Sequence, residues 1–139
     1  MKERRTRQLA AVAAVVNAAH DHPSAEEVYR RVRRKLPRVS LGTVYRNLQK
    51  LAAQQQIRVV QLADRASRYD GMLEEHDHFL CERCGAVSDL PRKHSIARTT
   101  WPDLGRAGYA VRSHALTFYG ICPACRAADG RRAAAATAL

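Results

Sequence analysis

Glu74-Glu-His-Asp-His-Phe-Leu-Cys-Glu-Arg-Cys-Gly-Ala-Val-Ser-Asp89 sets a His-x-His pair directly ahead of a Cys-x-x-Cys pair. The only other cysteines form a second such pair, Cys122-Pro-Ala-Cys125. Two Cys-x-x-Cys turns supply the four thiolates of a tetrahedral zinc site, so Cys81, Cys84, Cys122 and Cys125 are read as zinc ligands. With every corner filled by sulfur, such a zinc is structural and not catalytic. The 37 residues between Cys84 and Cys122 make it a long clip across a small sheet. A zinc of this kind supplies on the order of 10 kcal/mol of folding energy, large beside the stability of a small domain. Free or redox-active thiols are the competing reading.

Outward from this stretch, charge divides the chain. Residues 1–69 carry fifteen Lys and Arg against five Asp and Glu, a net of +10, while residues 70–139 carry nine against eight, a net of +1. A basic half joined to a near-neutral half points to one module for a polyanion and another for a different task. The 139 residues suffice for one compact domain or two small ones. Met1-Lys-Glu-Arg-Arg-Thr-Arg followed by Leu9–Val16 superficially copies a signal peptide, but the apolar run is short, Ala-dominated and helically spaced. No segment is apolar for long enough to span a membrane, and the chain is expected in the cytoplasm, where paired cysteines read as metal ligands.

In the basic half, Leu9, Val12, Val15, Val16 and Ala19 recur at helical spacing and predict a first helix over about Arg5–Ala19. Ser24-Ala-Glu-Glu27 is a capping box opening a second helix with Val28, Val32 and Leu36 on its buried face, stopped by Pro37. Ser40 caps a third helix that buries Leu41, Val44, Leu48 and Leu51. Strands at Ile57–Leu62 and Ser67–Asp70, joined through residues 63–66, complete a winged helix-turn-helix. The outward side of the third helix presents Gly42, Arg46, Gln49 and Lys50, with Thr43 and Tyr45 on its flanks and Ser40 at its start. An isolated helix with that face is ordinarily just solvated. As the third of three helices, followed by a wing and set in the +10 half, it reads as the element that enters a DNA major groove.

The neutral half is expected to begin after a hinge over residues 70–75 and to run over 76–128 as a small α/β dimerisation domain. Strands are expected at His78–Cys81, Ala86–Asp89, Tyr109–Ser113 and Leu116–Ile121. A helix is expected within Pro91–Gly108, broken or kinked at Thr99-Thr-Trp-Pro102. Residues 129–139 are expected to be a flexible tail or a loose helix. The fold class is therefore α+β. In a strand, His76 and His78 point the same way, as a bidentate pair must, and Asp70, Asp77 and Asp89 lie nearby in sequence. Two imidazoles with carboxylates suit Fe2+, Mn2+ or Zn2+. Taken alone, a His-x-His is more often a pair of surface residues.

Over nearly its whole length the chain resembles the ferric uptake regulator family of bacterial metal-dependent repressors. The residues that carry the resemblance are Pro23-Ser-Ala-Glu-Glu-Val-Tyr, Ser40-Leu-Gly-Thr-Val-Tyr-Arg-Asn-Leu, Ser67-Arg-Tyr-Asp70, His76-Asp-His-Phe-Leu-Cys-Glu-Arg-Cys-Gly and Tyr119-Gly-Ile-Cys-Pro-Ala-Cys. The resemblance implies a homodimer on a palindromic double-stranded operator, a structural zinc, and a regulatory metal at the hinge. Within the family the chain looks most like the peroxide-sensing repressors. Their ligands of three histidines and two aspartates match His22, His76, His78, Asp70 and Asp89 here. Iron-responsive members tend toward glutamate at the carboxylate positions and zinc-uptake members toward a cysteine ligand. By the same resemblance, His22 and His76 are the histidines oxidised when bound iron meets peroxide.

Departures from the family pattern accompany the match. The family usually has a short helix ahead of the first one here. Glu75 stands where iron-uptake members have a histidine, leaving Asp77 and His114 as a partial further site, and Trp101-Pro102 is unusual in the dimerisation helix. An iron- or manganese-uptake regulator is the alternative within the class. A hydrolytic metal centre is the alternative outside it, but no candidate nucleophile or general base stands apart from the ligands. A zinc ribbon without a regulatory metal is a third. The chain is expected not to be an enzyme.

Overall fold

Ser24 and Ser40 begin their helices as their side chains dictate. The computed structural model of the chain describes residues 1–63, 65–90 and 97–138 and divides into two compact units, Met1–Glu74 and Glu75–Leu139.

In the first unit, α1 runs Lys2–Ala18, α2 Ala25–Arg33 and α3 Leu41–Ala53. The Ser24 hydroxyl accepts from the Glu27 N–H and the Glu27 carboxylate accepts from the Ser24 N–H, a complete capping box. Ser40 caps α3 through the Thr43 N–H. α2 ends at Arg33, ahead of Leu36, which sits half-buried in the turn that follows. Val12 and Val16 of α1, Val28 and Val32 of α2, and Val44, Leu48 and Leu51 of α3 interlock at 1% exposure or less. Each such side chain contributes about 1.5–3 kcal/mol by leaving water. Ile57 and Tyr69 close this core from the wing, where β1 (Arg58–Val60) pairs antiparallel with β2 (Arg68–Asp70), Val59 opposite Tyr69. Asp64, within the expected wing turn, lies outside the described residues.

The second unit holds β3 (Asp77–Cys81), β4 (Val87–Leu90), α4 (Ala97–Arg106), β5 (Thr117–Gly120) and α5 (Pro123–Thr137). The sheet order is β4-β3-β5, with β3 antiparallel to β4 and parallel to β5. Parallel pairing demands a long crossover, and α4 lies within it.

Two expectations change here. α4 continues through Trp101-Pro102 without a break, although Pro102 lacks the N–H that would bond residue 98. The start of the helix expected over 91–108, residues 91–96, lies outside the described residues. Tyr109–Ser113 is not a strand: the sheet among the described residues is β4-β3-β5 alone, and Tyr109 stands 67% exposed. Of the flexible tail or loose helix expected over 129–139, the structure has the helix, which runs as far as Thr137, as its alanines favour, with no residue of α5 buried.

Candidate metal centre

The hairpin of β3 and β4 turns through Cys81-Glu-Arg-Cys-Gly85, and Gly85 supplies the positive φ (74°) that the tight return needs. Its N–H donates to the Cys81 carbonyl, while the Cys81 N–H donates to Ala86. The second pair sits where β5 passes into α5. Cys122 is the N-cap, Pro123 follows at the first helical position, and the Cys125 N–H reaches Cys122 Sγ at 3.4 Å. The pairing of β3 with β5 brings these turns together, placing the four sulfurs within 4.8 Å of one another. Cys81 to Cys125 and Cys84 to Cys122 both measure 3.9 Å. A zinc tetrahedron with bonds near 2.3 Å has edges of about 3.8 Å, so the cage fits zinc. It does not fit a disulfide, whose sulfurs sit about 2.05 Å apart.

Arg83, between the first two cysteines, donates to the Cys125 carbonyl and to Asp129, tying one turn to the other. Backbone N–H groups of Cys84 and then Cys122 hold the Cys81 thiol down to about 6. Hydrogen bonding with Cys122, followed by burial, pushes Cys125 up to about 12. Zinc binds cysteine as thiolate, so filling the cage releases protons.

Ahead of the cage, the His76 and His78 rings lie with centroids 4.5 Å apart, tilted by 60°. Asp89 of β4, paired in register with His78, places Oδ1 3.0 Å from His76 Nε2 and 3.4 Å from His78 Nε2. Three neighbouring N and O donors of this kind suit a divalent cation. Between them, Asp77 is 2% exposed, and neither carboxylate oxygen has a hydrogen-bond partner among the described residues. His114 Nε2 lies 3.7 Å from it and stacks edge-on against Trp101.

The first unit contributes its own pair. His22 is 4% exposed and held at φ 51°, a left-handed conformation uncommon for a residue with a side chain. Its Nε2 stands 3.5 Å from Asp70 Oδ2. β2 supports this loop: Arg68 donates to the His22 carbonyl and the Tyr69 N–H donates to the Pro23 carbonyl. Gly71, next to Asp70, packs so closely on α1 that a Cβ there would meet Asn17 Cα at 2.8 Å.

On α3, Ser40, Gly42, Tyr45, Arg46, Gln49 and Lys50 are exposed and Thr43 is half-buried. The Ser40 hydroxyl and Arg46 Nη2 both donate to Thr43 Oγ1, at 2.9 and 3.1 Å. This chain of bonds draws the guanidinium toward the start of the helix. The roles of Arg68, Arg83 and Glu26, a partner of Tyr45, carry no sequence signal, since each is one charge among many.

A family model described as "Ferric uptake regulator family" matches residues 2–119. A "Ferric uptake regulation protein" of Bacillus subtilis is 34% identical over 125 residues, covering 84% of this chain and 80% of that protein. A "Peroxide-responsive repressor PerR" of Staphylococcus aureus is 29% identical over 123 residues, covering 87% of this chain and 81% of that protein. Among solved structures, the peroxide stress regulator of Campylobacter jejuni superposes with a TM-score of 0.77 at 28% identity. The match covers 89% of this chain and 93% of that one.

Proposed function

Because the chain belongs to the ferric uptake regulator family, a family of metal-responsive transcription regulators and not enzymes, we propose that it is a homodimeric repressor that reports peroxide through its regulatory metal. Family structures hold zinc and iron or manganese. Zinc belongs in the four-cysteine cage here, and iron or manganese belongs with the His/Asp donors. His22 and Asp70 from the first unit and His76, His78 and Asp89 from the second are the proposed ligands of one ion.

His22 carries this reading. A buried imidazole in a left-handed backbone, beside a carboxylate and braced by Arg68, is held at a conformational cost of about 1–3 kcal/mol. Such strain marks a side chain kept for a task. Ligands drawn from both units couple metal binding to the placement of α3, so the metal-bound dimer presents its two recognition helices at the spacing of a palindromic operator. His22, Asp70, His76, His78 and Asp89 would hold the ferrous iron, which would give one electron to peroxide and so generate an oxidant beside these ligands. Once oxidised, the His22 or His76 ring is a poorer donor, the metal-bound arrangement loses its advantage, and DNA is released. A protein reading DNA in this way works in the cytoplasm, and no helix among the described residues is long and apolar enough to cross a membrane.

An iron- or manganese-uptake regulator is the second reading, since the matches include both an iron regulator and a peroxide regulator. Anaerobic loading with ferrous iron, stoichiometric peroxide and peptide mass spectrometry separate the two. One added oxygen on the His22 or His76 peptide, absent from a manganese-loaded control, is the expected result. Unoxidised histidines with DNA binding still metal-dependent establish the uptake regulator instead.

A further inference from the structure

On the first unit, the start of α1 and the turn between α2 and α3 enclose an open cleft of about 420 Å³. Arg4 and Arg7 line it from one face of α1, Lys35 and Arg38 line it from the turn, and Leu36 and Pro37 form part of its wall. No carboxylate lines the cleft among the described residues, and none of these four cations has an ion-pair partner among them. The ion pairs of the unit lie elsewhere: Asp21 takes Arg31 and Glu27 lies 4.0 Å from Arg68. Four like charges converging without a counter-charge repel one another unless an anion joins them. Guanidinium groups match a phosphate bidentately, and the lysine adds a point charge.

We propose that this cleft seats a phosphodiester of the DNA backbone, at the wall of the groove that α3 enters. The proposal rests on the reading that α3 binds DNA. Its position decides the occupant. Arg38 precedes Ser40, the N-cap of α3, by two residues, and so by at most about 7 Å of chain. The major groove is about 12 Å wide. A side chain anchored just ahead of a helix inserted there meets the edge of the groove, and that edge is phosphate. An interaction of this kind carries no base information. It adds affinity on any sequence and holds α3 in register on its site. It also accounts for why the positive charge of the first half extends beyond the face of α3.

The test uses the full chain loaded with zinc and manganese and two duplexes: one selected by the wild-type protein from a randomised pool, and a scrambled duplex of equal length. Affinity is measured against salt for wild type, Arg4→Ala/Arg38→Ala, Arg4→Lys/Arg38→Lys, Arg46→Ala and the charge control Arg131→Ala. The expected result is that the cleft double-alanine variant binds both duplexes about tenfold more weakly, and its salt slope falls by about 0.9 for each phosphate it no longer neutralises. The lysine variant and Arg131→Ala keep the wild-type slope, while Arg46→Ala is weakened most on the selected duplex. An unchanged slope in the double-alanine variant, with Arg46→Ala still impaired, overturns the cleft and leaves DNA binding by α3 standing. If metal-loaded wild type selects no duplex, both readings fall. If inorganic phosphate raises the melting temperature of wild type but not of the double-alanine variant while the slopes stay equal, the cleft is a small-anion site and the proposal is wrong.

Discussion

Tyr45 Oη on α3 donates a 2.9 Å hydrogen bond to Glu26 Oε1 on α2. The phenol's only proton is thereby directed to α2, leaving the exposed Tyr45 its ring and an accepting oxygen. The bond pulls the two groups in opposite directions. Glu26 is held below the usual carboxylate range, first by a backbone N–H at the helix start and then by Tyr45. Tyr45 is held above its ordinary value, chiefly by Glu26. A lowered carboxylate contributes above its unfolded value, about 4.3, and loses that contribution as pH falls through its folded value. A raised phenol contributes below about 10 and loses it as pH rises through its folded value. Both groups are exposed, so the effect on stability is small, and spectroscopy is the better readout. In ultraviolet titration, Glu26→Gln is expected to move one tyrosine toward lower pH, a shift absent in a Tyr45→Phe background. Superimposable wild-type and Glu26→Gln curves would mean the hydrogen bond does not form in solution.

Removing zinc tests the cage. Chelation, or Cys84→Ser, is expected to unfold the second unit, because a metal contribution on the order of 10 kcal/mol exceeds what a three-stranded sheet with few buried side chains supplies. The first unit, whose core contains no ligand cysteine, keeps its helices. Circular dichroism with metal analysis reads both, and a folded, zinc-free second unit contradicts the structural role.

Gly71→Ala places a methyl 2.7 Å from Asn17 Oδ1 and 2.8 Å from Asn17 Cα. The expected destabilisation is about 1–3 kcal/mol in the first unit. Because the clash includes backbone, trimming the neighbour by Asn17→Ala does not restore the melting temperature. A full rescue would show that the side chain alone is in the way.

His22→Asn separates ligand from scaffold. Asparagine adopts positive φ more readily than histidine, so metal-free stability is expected to change by less than about 1 kcal/mol while metal-dependent DNA binding is lost. Thermal melts beside metal-titrated binding check this. Retained metal-dependent binding removes His22 from the ligand set.

Wherever the chain's own chemistry is local, the sequence was readable. Ser24 with Glu27, Ser40 with Thr43, and the apolar spacing through Val44, Leu48 and Leu51 declare two helices and the core between them. The four cysteines likewise announce a cage, because their spacing is a property of single turns. Pairing between distant segments was not readable. Nothing in Tyr109–Ser113 says that it stays out of the sheet, and nothing in Thr99–Pro102 says that the helix runs through it. The left-handed backbone of His22 was equally hidden, since its brace, Arg68, stands 46 residues away.

The cage also imposes an order on synthesis. Cys81 and Cys122 stand 41 residues apart, so the first thiol pair leaves the ribosome about 2–8 s before the second at ordinary elongation rates. Through that interval the contiguous first unit has everything its core needs. Until then the second unit holds two thiols, Cys81 and Cys84, without the partners that complete the cage, and the newborn chain is most open to oxidation. A cell under peroxide stress would therefore damage this protein most readily during its manufacture, before any operator is reached.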